Sequence, residues 1–183
     1  LKKLNTCMHI LNDGNNALVF PPRCGTRWIA SELYDRGILD TKAPHHRFEW
    51  YDSAEVEIYM FVRDPFQRER SLHRWLSETN QKDISKFKFE DYVNSSLFEM
   101  EPSWYTRYGY LNDLVQHVDI ANVNSFFMDT FNIELPVYDN FYHLADDNRS
   151  DNDVYSDPQI VEKILNKYQE DIKHIKFNLT KYT

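Results

Sequence analysis

The sequence predicts an α/β fold, a single domain over residues 1–183 with a central parallel β-sheet flanked by helices. Short apolar runs typical of buried strands alternate, in the first half, with segments whose apolar residues recur at helical spacing. Turn-forming residues bound the apolar runs, and 183 residues are enough for one sizeable core. Strands that alternate with helices favour a parallel sheet with right-handed crossovers.

The first strand and helix lie between residues 16 and 37. Asn16–Phe20 is an apolar run that stops at two prolines, as expected for a strand buried on both faces. A helix is predicted over Thr26–Arg36, because Ile29 and Leu33 fall on one apolar face. Gly37 stands where a left-handed cap would end that helix.

A second strand and helix follow. His46–Tyr51 alternates weakly and is compatible with a strand or a loop. Glu57–Val62 is rich in β-branched and aromatic residues and is predicted to be a strand. Asp64-Pro65 ends it, since proline has no N–H for the strand ladder, and a helix is predicted over Phe66–Glu78.

The second half is predicted to be mainly helical. Phe89–Ser95 and Trp104–Val118 are predicted helices, and Asn122–Phe127 is a predicted strand. Leu135–Asp153 is rich in Asp, Asn and Tyr, which indicates an extended loop. Asp157–Ile175 is a predicted amphipathic helix that begins with an Asp-Pro pair.

The composition is acidic and aromatic. The formal net charge is -8, the isoelectric point is near 5.3, and aromatic residues make up 15% of the chain. This balance argues against general nucleic-acid binding, but it allows a local basic site. The two cysteines form no disulfide framework, and no zinc-ligand pattern occurs. No apolar run reaches the ~20 residues of a membrane helix. The expected localisation is cytoplasmic or otherwise soluble. The alternative is that the chain is the catalytic domain of a larger protein of the secretory pathway.

The loop after the first strand has the features of an anion site. It reads FPPRCGTRW over residues 20–28 and opens the first helix. Gly25 permits a close backbone approach, and the amides and positive dipole of a helix N-terminus attract anions. Arg23 and Arg27 add charge, and Thr26 adds a hydroxyl. The Walker A ending and the Cys-x5-Arg phosphatase spacing are both absent. An ordinary strand–turn–helix with incidental arginines remains the alternative.

The second loop holds the densest basic cluster of the chain, VRDPFQRERS over residues 62–71. Arg63 stands at a predicted strand end, where its forked guanidinium, together with the Ser71 hydroxyl, could hold a phosphate. For Arg70 and Arg74 a solvated helix face is the preferred interpretation.

Together the two loops resemble the cofactor loops of sulfotransferases that use 3'-phosphoadenylyl sulfate (PAPS). The family's first loop is Pro-x-Lys/Arg-Ser-Gly-Thr/Ser-x-Trp-like, and its second is Arg-Asp/Glu-Pro-Phe-x-Arg-x-x-Ser. This chain has counterparts of both, in the same order: PPRCGTRW over residues 21–28 and RDPFQRERS over residues 63–71. The match departs at Cys24, where Ser is usual, and at Arg27, where Thr or Ser is common. The resemblance extends weakly over 108–131, including a predicted acidic turn at Met128–Thr130, and over 157–177 with Tyr168 and Asp171.

The resemblance implies a P-loop-like sulfotransferase fold and an enzyme. The Gly-x-x-Gly-Asp-Trp-Lys segment of the cytosolic, small-molecule branch is absent, which favours the carbohydrate-type (Golgi-like) branch or a microbial or viral relative. The implied reaction moves a sulfuryl group in line from PAPS to a hydroxyl or amine acceptor, with adenosine 3',5'-bisphosphate (PAP) as product and no metal. The implied cofactor-binding residues are Arg23, Cys24, Gly25, Thr26, Arg27, Trp28, Arg63 and Ser71.

The catalytic residues implied are a cation and a base. Arg23 would stabilise charge on the bridging and leaving oxygens. His45 or His46 would act as general base, because the pKa of histidine lies near neutrality. Glu49 and Asp52 stand nearby as alternative bases.

Two other functions are the alternatives for these loops. One is a P-loop-like kinase that uses ATP, which would need Ser or Thr after a Lys, whereas Thr26 here precedes Arg27. The other is a non-catalytic anion-binding module with a degenerate site. The expected partner is a small-molecule or carbohydrate acceptor, with no nucleic acid and no membrane segment, and the oligomeric state is open.

Overall fold

A computed structural model describes residues 8–11, 15–39, 56–78, 88–100, 102–104, 115–136 and 151–182. The chain clusters into two compact units. The first contains Leu1–Arg63 and Tyr110–Tyr138, and the second contains Asp64–Gly109 and Asp139–Thr183. The single domain expected over residues 1–183 stays a prediction.

The first unit contains a four-stranded sheet in the order β1-β2-β3-β4. Its strands are β1 (Met8–Ile10), β2 (Asn16–Val19), β3 (Glu57–Val62) and β4 (Val115–Asp119). β2, β3 and β4 run parallel, and β1 pairs antiparallel with β2. The predicted parallel sheet is therefore confirmed in three strands, and β1 is an antiparallel edge that the sequence pattern did not predict.

Helices occupy much of the rest of the described chain. Their bounds are α1 Thr26–Asp35, α2 Pro65–Glu78, α3 Phe89–Val93, α4 Val123–Phe131, α5 Asp151–Val154, α6 Pro158–Lys167 and α7 Gln169–His174. α1 ends as predicted, because Gly37 has a φ of 71° and its N–H donates to the Tyr34 carbonyl at 2.9 Å.

The core of the first unit is aromatic and surrounds β3. The Phe61 ring on β3 stacks on Phe20 at 5.2 Å between ring centroids, and on Phe127 of α4 at 5.8 Å. Ala17, Leu18 and Val19 of β2 are fully buried, which explains the continuous apolar run of that strand. Helix α4 therefore packs on the sheet through its phenylalanines.

The predictions for residues 104–131 are wrong in two places. Val115–Asp119 is a strand, although a helix was predicted to continue to Val118. Asn122–Phe127 was predicted to be a strand, and Met128–Thr130 an acidic turn, but Val123–Phe131 is the helix α4. Valine and phenylalanine at 123, 127 and 131 lie four residues apart, so one helical face is apolar, and burial of that face decides the conformation.

Helices dominate the second unit. α2 contacts α3 and α6, and α3 contacts α6. The helix predicted over Asp157–Ile175 is two helices, α6 and α7, that meet at Tyr168. Asp157 begins α6 as predicted, since its carboxylate accepts from the Gln159 N–H at 2.9 Å. The predicted loop Leu135–Asp153 overlaps α5 at its end. His46–Tyr51 lies outside the described residues.

Candidate anion-binding site at the carboxyl edge of the sheet

Three parallel strands end side by side in the first unit. Val19 of β2 pairs with Met60 of β3, and Val62 of β3 pairs with Asp119 of β4. The segments that follow these strands therefore leave the same edge of the sheet. In open α/β sheets ligands bind at this carboxyl edge.

The loop after β2 has an unusual backbone. Arg23 has a φ of 68° and Gly25 a φ of 72°, so two residues out of three are left-handed. Glycine adopts this conformation without strain, whereas a residue with a Cβ does not. The Cys24 N–H donates to the Pro21 carbonyl at 3.3 Å and closes a turn. Strain at a residue with a predicted chemical role is an observation that points to a functional site.

Helix α1 begins directly after this loop. Gly25 is its N-cap residue and provides no side-chain cap, and the first turn contains no acidic residue. The Ile29 N–H donates to the Gly25 carbonyl at 3.1 Å, which fixes the start of the helix. The first amides of a helix have no partner within the helix, and its dipole is positive at this end, so the start of α1 favours an anion.

Arg63 joins the second loop to the first. It follows β3, it is half-buried, and its Nη1 donates to the Arg23 carbonyl at 3.5 Å. Within the described ranges Arg63 forms no ion pair with a carboxylate. Its guanidinium has five N–H donors, so one long hydrogen bond leaves donors for an anion. The structure thus brings Arg63 together with the backbone of the first predicted loop.

Two other residues of the first loop, Cys24 and Trp28, are wholly or partly buried in the first unit. Cys24 is fully buried, with Sγ 3.8 Å from the Pro22 carbonyl, so its side chain belongs to the core. Trp28 is half-buried on α1. Thr26 and Arg27 are helical, and their side chains lie outside the described part of the structure.

The candidate bases His45, His46, Glu49 and Asp52 all lie outside the described residues. Their assignment as general base stays a prediction from the sequence.

Much of the second motif starts a helix in the second unit. Asp64 Oδ1 accepts from the Phe66 N–H at 2.9 Å, which is a helix cap, and Pro65 is the first residue of α2. Phe66 is buried and stacks on the Tyr182 ring at 3.9 Å. Asp64 Oδ2 accepts from the Tyr182 hydroxyl at 2.9 Å and lies 3.3 Å from Lys181 Nζ. Asp64, Pro65 and Phe66 therefore have structural roles.

The middle of the motif is a buried ionic cluster, which we call the Glu69 cluster. Arg68 and Glu69 are 1% and 0% exposed. Glu69 lies 2.8 Å from Lys167 Nζ and accepts from the hydroxyls of Tyr92 and Tyr168. Arg68 donates to the Tyr168 hydroxyl and to the Pro102 carbonyl, the latter at 3.1 Å. Arg68 is thus occupied by contacts within the second unit.

Burial governs the titration of this cluster. Burial raises the pKa of Tyr92 and of Tyr168, because the charged phenolate is disfavoured away from water. Burial also lowers the pKa of Lys167, although Glu69 favours its charged form.

The interpretation of the α2 arginines as a solvated face is wrong for Arg70. Arg70 is buried, as are Glu69 and His73, and Arg74 is half-buried. Ser71 is 7% exposed in the second unit, and its role at a 3'-phosphate stays a prediction. The segments that cover α2, chiefly α3 and α6, are far away in the sequence, so the local pattern gave no sign of this burial.

Sequence reasoning missed two residues at the sheet edge, Asp119 and Ile120. Asp119 ends β4 beside Val62, and its Oδ1 accepts from the Ala121 N–H at 2.9 Å in a single 3-10 turn. Ile120, in that turn, lies against Gly25: a Cβ built on Gly25 would be 2.6 Å from Ile120 Cδ1. Recognising β4 as a strand would have shown that its end lies beside the two predicted loops.

No protein-family model, curated protein or solved structure matches the chain. Among the described residues, no helix is long and apolar enough to cross a membrane. The interpretation of the site therefore depends on its own geometry and on the two sequence motifs.

Proposed function

We propose that the chain is a PAPS-dependent sulfotransferase, whose first unit binds the nucleotide at the carboxyl edge of the sheet. The observation that carries the proposal is the hydrogen bond from Arg63 to the Arg23 carbonyl. It brings together two motifs that are 40 residues apart in the sequence. Each motif resembles a sulfotransferase cofactor loop, the second at every residue of the pattern and the first with departures at Cys24 and Arg27.

The residues present suit a nucleotide with two separate phosphate groups. The first amides of α1 suit the 5'-phosphate, because the N-cap residue Gly25 has no side chain that could accept their hydrogen bonds. Arg63 is half-buried and bound to a carbonyl rather than to a carboxylate, which suits the 3'-phosphate. The Cys24 amide already closes a turn, so the amides from Thr26 onward are the better donors.

When bound, PAPS would supply an activated sulfuryl group and a bisphosphate leaving group. Arg23 would stabilise the charge that develops on the leaving oxygens, as preorganised cations do in phosphoryl transfer. The acceptor would lose its proton to a base, and His45 or His46 remains the proposed one. The acceptor class is a hydroxyl or amine compound, with a carbohydrate as the first candidate.

Replacing Arg63 with alanine tests the proposal. We expect the Kd for PAP to rise about tenfold or more, because a charge-assisted contact to the 3'-phosphate is lost. The Kd for adenosine 5'-monophosphate, which has no 3'-phosphate, should rise only about threefold, since the bond to the Arg23 carbonyl is also lost. Isothermal titration calorimetry measures both constants.

Arg36→Ala is the matched control. Arg36 pairs with Glu32 at 2.6 Å near the other end of α1 and is more exposed than Arg63. Each of the two substitutions removes one arginine, so the net charge changes equally. We expect this variant to bind both nucleotides as the unaltered chain does. Equal losses for the two nucleotides in Arg63→Ala would contradict the 3'-phosphate role.

A further inference from the structure

The 3-10 turn at Ile120–Asn122, after β4, supports the loop that starts α1. A Cβ on Gly25 would lie 2.6 Å from Ile120 Cδ1 and 3.3 Å from its Cγ1. Real Cβ atoms do not approach other atoms as closely as 2.6 Å. The Ile120 side chain therefore occupies the space that any side chain at residue 25 would need.

Ile120 is itself held in place. Asp119 pairs with Val62 at the end of the sheet, and its carboxylate accepts from the Ala121 N–H at 2.9 Å. Ile120 thus lies in a turn that is joined to the sheet through Asp119 and closed by the hydrogen bond from the Ala121 N–H. Its side chain transmits the position of the sheet edge to Gly25.

Gly25 in turn sets the direction of the first amides of α1. It is the N-cap residue, it is left-handed with a φ of 72°, and its carbonyl accepts from the Ile29 N–H at 3.1 Å. A shift of Gly25 would turn these amides away from a bound anion. A misplacement of about 1 Å in a binding group can cost a large factor in function.

We propose that Ile120 is a positioning residue for the anion-binding loop, which holds Gly25 and the first amides of α1 in the conformation that receives a phosphate group. This inference rests on the proposed function, since the ligand is the 5'-phosphate of that nucleotide. It adds the segment after β4 to a site that the sequence assigned to two loops only.

Ile120→Val tests this role, because the change removes only Cδ1, the atom nearest to the position that a Cβ of residue 25 would take. The matched control is Ile58→Val, which makes the same change at a buried residue of β3 in the same unit. We expect the Kd for PAP to rise about fivefold in Ile120→Val and to stay unchanged in Ile58→Val. Calorimetry on folded protein measures this difference, and Ile120→Ala is a second, larger deletion of the same contact.

Hydrogen exchange at the Ile29 amide gives a readout without nucleotide. This amide donates to the Gly25 carbonyl, so its exchange rate reports opening at the start of α1. We expect faster exchange in Ile120→Val than in Ile58→Val.

A double-mutant cycle tests the direct contact. Gly25→Ala should destabilise the native chain strongly, and Ile120→Val should recover part of that loss because Cδ1 is gone. The left-handed φ strains an alanine at this position equally in both backgrounds, so the strain cancels in the cycle.

Equal Ile29 exchange in the two valine variants, together with an additive cycle, would overturn the positioning role. If the unaltered chain binds no PAP, the proposed function fails, and exchange and the cycle still decide the role of Ile120.

Discussion

Arg23 combines a strained backbone with the most specific chemical role proposed for this chain. Its φ of 68° is left-handed, and its carbonyl accepts from Arg63 at 3.5 Å. For a residue with a Cβ this conformation costs about 1 kcal/mol or more. Glycine would relieve this strain, whereas only arginine provides the guanidinium that the proposed role requires.

Two substitutions at Arg23 separate these effects. We expect Arg23→Gly to be more stable than Arg23→Ala by about 1 kcal/mol, because only glycine fits a positive φ without strain. Both variants should lose sulfuryl-transfer turnover by about 100-fold, because both lack the guanidinium. Urea denaturation and a turnover assay with PAPS measure the two quantities. Full turnover in Arg23→Gly would show that the side chain has no catalytic role.

At the scale of elements, the sequence predicted the strands and helices whose burial is set locally. β2 and β3 were predicted from continuous apolar runs, and α1 from its apolar face and Gly37. Asn122–Phe127 was misassigned as a strand, and only three of its six residues, Val123, Phe126 and Phe127, favour strands. The helical repeat becomes clear only when Phe131 is included.

The candidate site, like the fold, could be predicted from the sequence only in part. The loop after β2 and Arg63 after β3 follow from the motifs and from the rule that ligands bind at the carboxyl edge. The left-handed φ of Arg23 and the contact of Ile120 with Gly25 depend on tertiary packing, which no local pattern specifies.

The Glu69 cluster gives a prediction about element packing in the second unit. Glu69→Gln removes the carboxylate that lies 2.8 Å from Lys167 and binds the hydroxyl of Tyr92. Breaking a buried ion pair on one side costs about 3–5 kcal/mol, because the remaining charge is left in an apolar environment. Urea denaturation should show a loss of this size.

The control for this prediction is Glu170→Gln. Glu170 pairs with Lys173 at 2.5 Å, but both side chains are about half exposed, at 43% and 54%. Such surface pairs contribute about 0.5 kcal/mol or less. Equal losses in the two variants would mean that Glu69 contributes no more than a surface residue.

For the molecule as a whole, four described tyrosines with raised pKa values contribute to the response to alkaline pH. Burial, with a hydrogen bond to Glu57, raises the pKa of Tyr59 to about 12. Burial also raises the pKa of Tyr92, Tyr168 and Tyr182. These groups keep their protons in the folded chain after the unfolded chain has lost them, near pH 10.

We therefore expect the free energy of unfolding to fall as the pH rises above 10, with more than one proton released on unfolding. Lys167 acts in the opposite direction: its lowered pKa makes stability rise with pH, and this gain is complete near its ordinary value of 10.5. Denaturation at pH 9, 10 and 11, with tyrosine absorbance as a second probe, measures the slope. A flat profile over this range would mean that the tyrosines titrate normally.

The most direct measurement is the thermal stabilisation of the unaltered chain by PAP, compared with ADP and ATP in the presence of Mg²⁺. A ligand that binds only the folded state raises the melting temperature by mass action. A sulfotransferase site that includes Arg63 should give a clear increase with PAP and a much smaller one with ADP or ATP. A preference for ATP with Mg²⁺ would indicate a kinase, and no shift with any nucleotide would indicate a module without nucleotide chemistry; either result would contradict the proposed function.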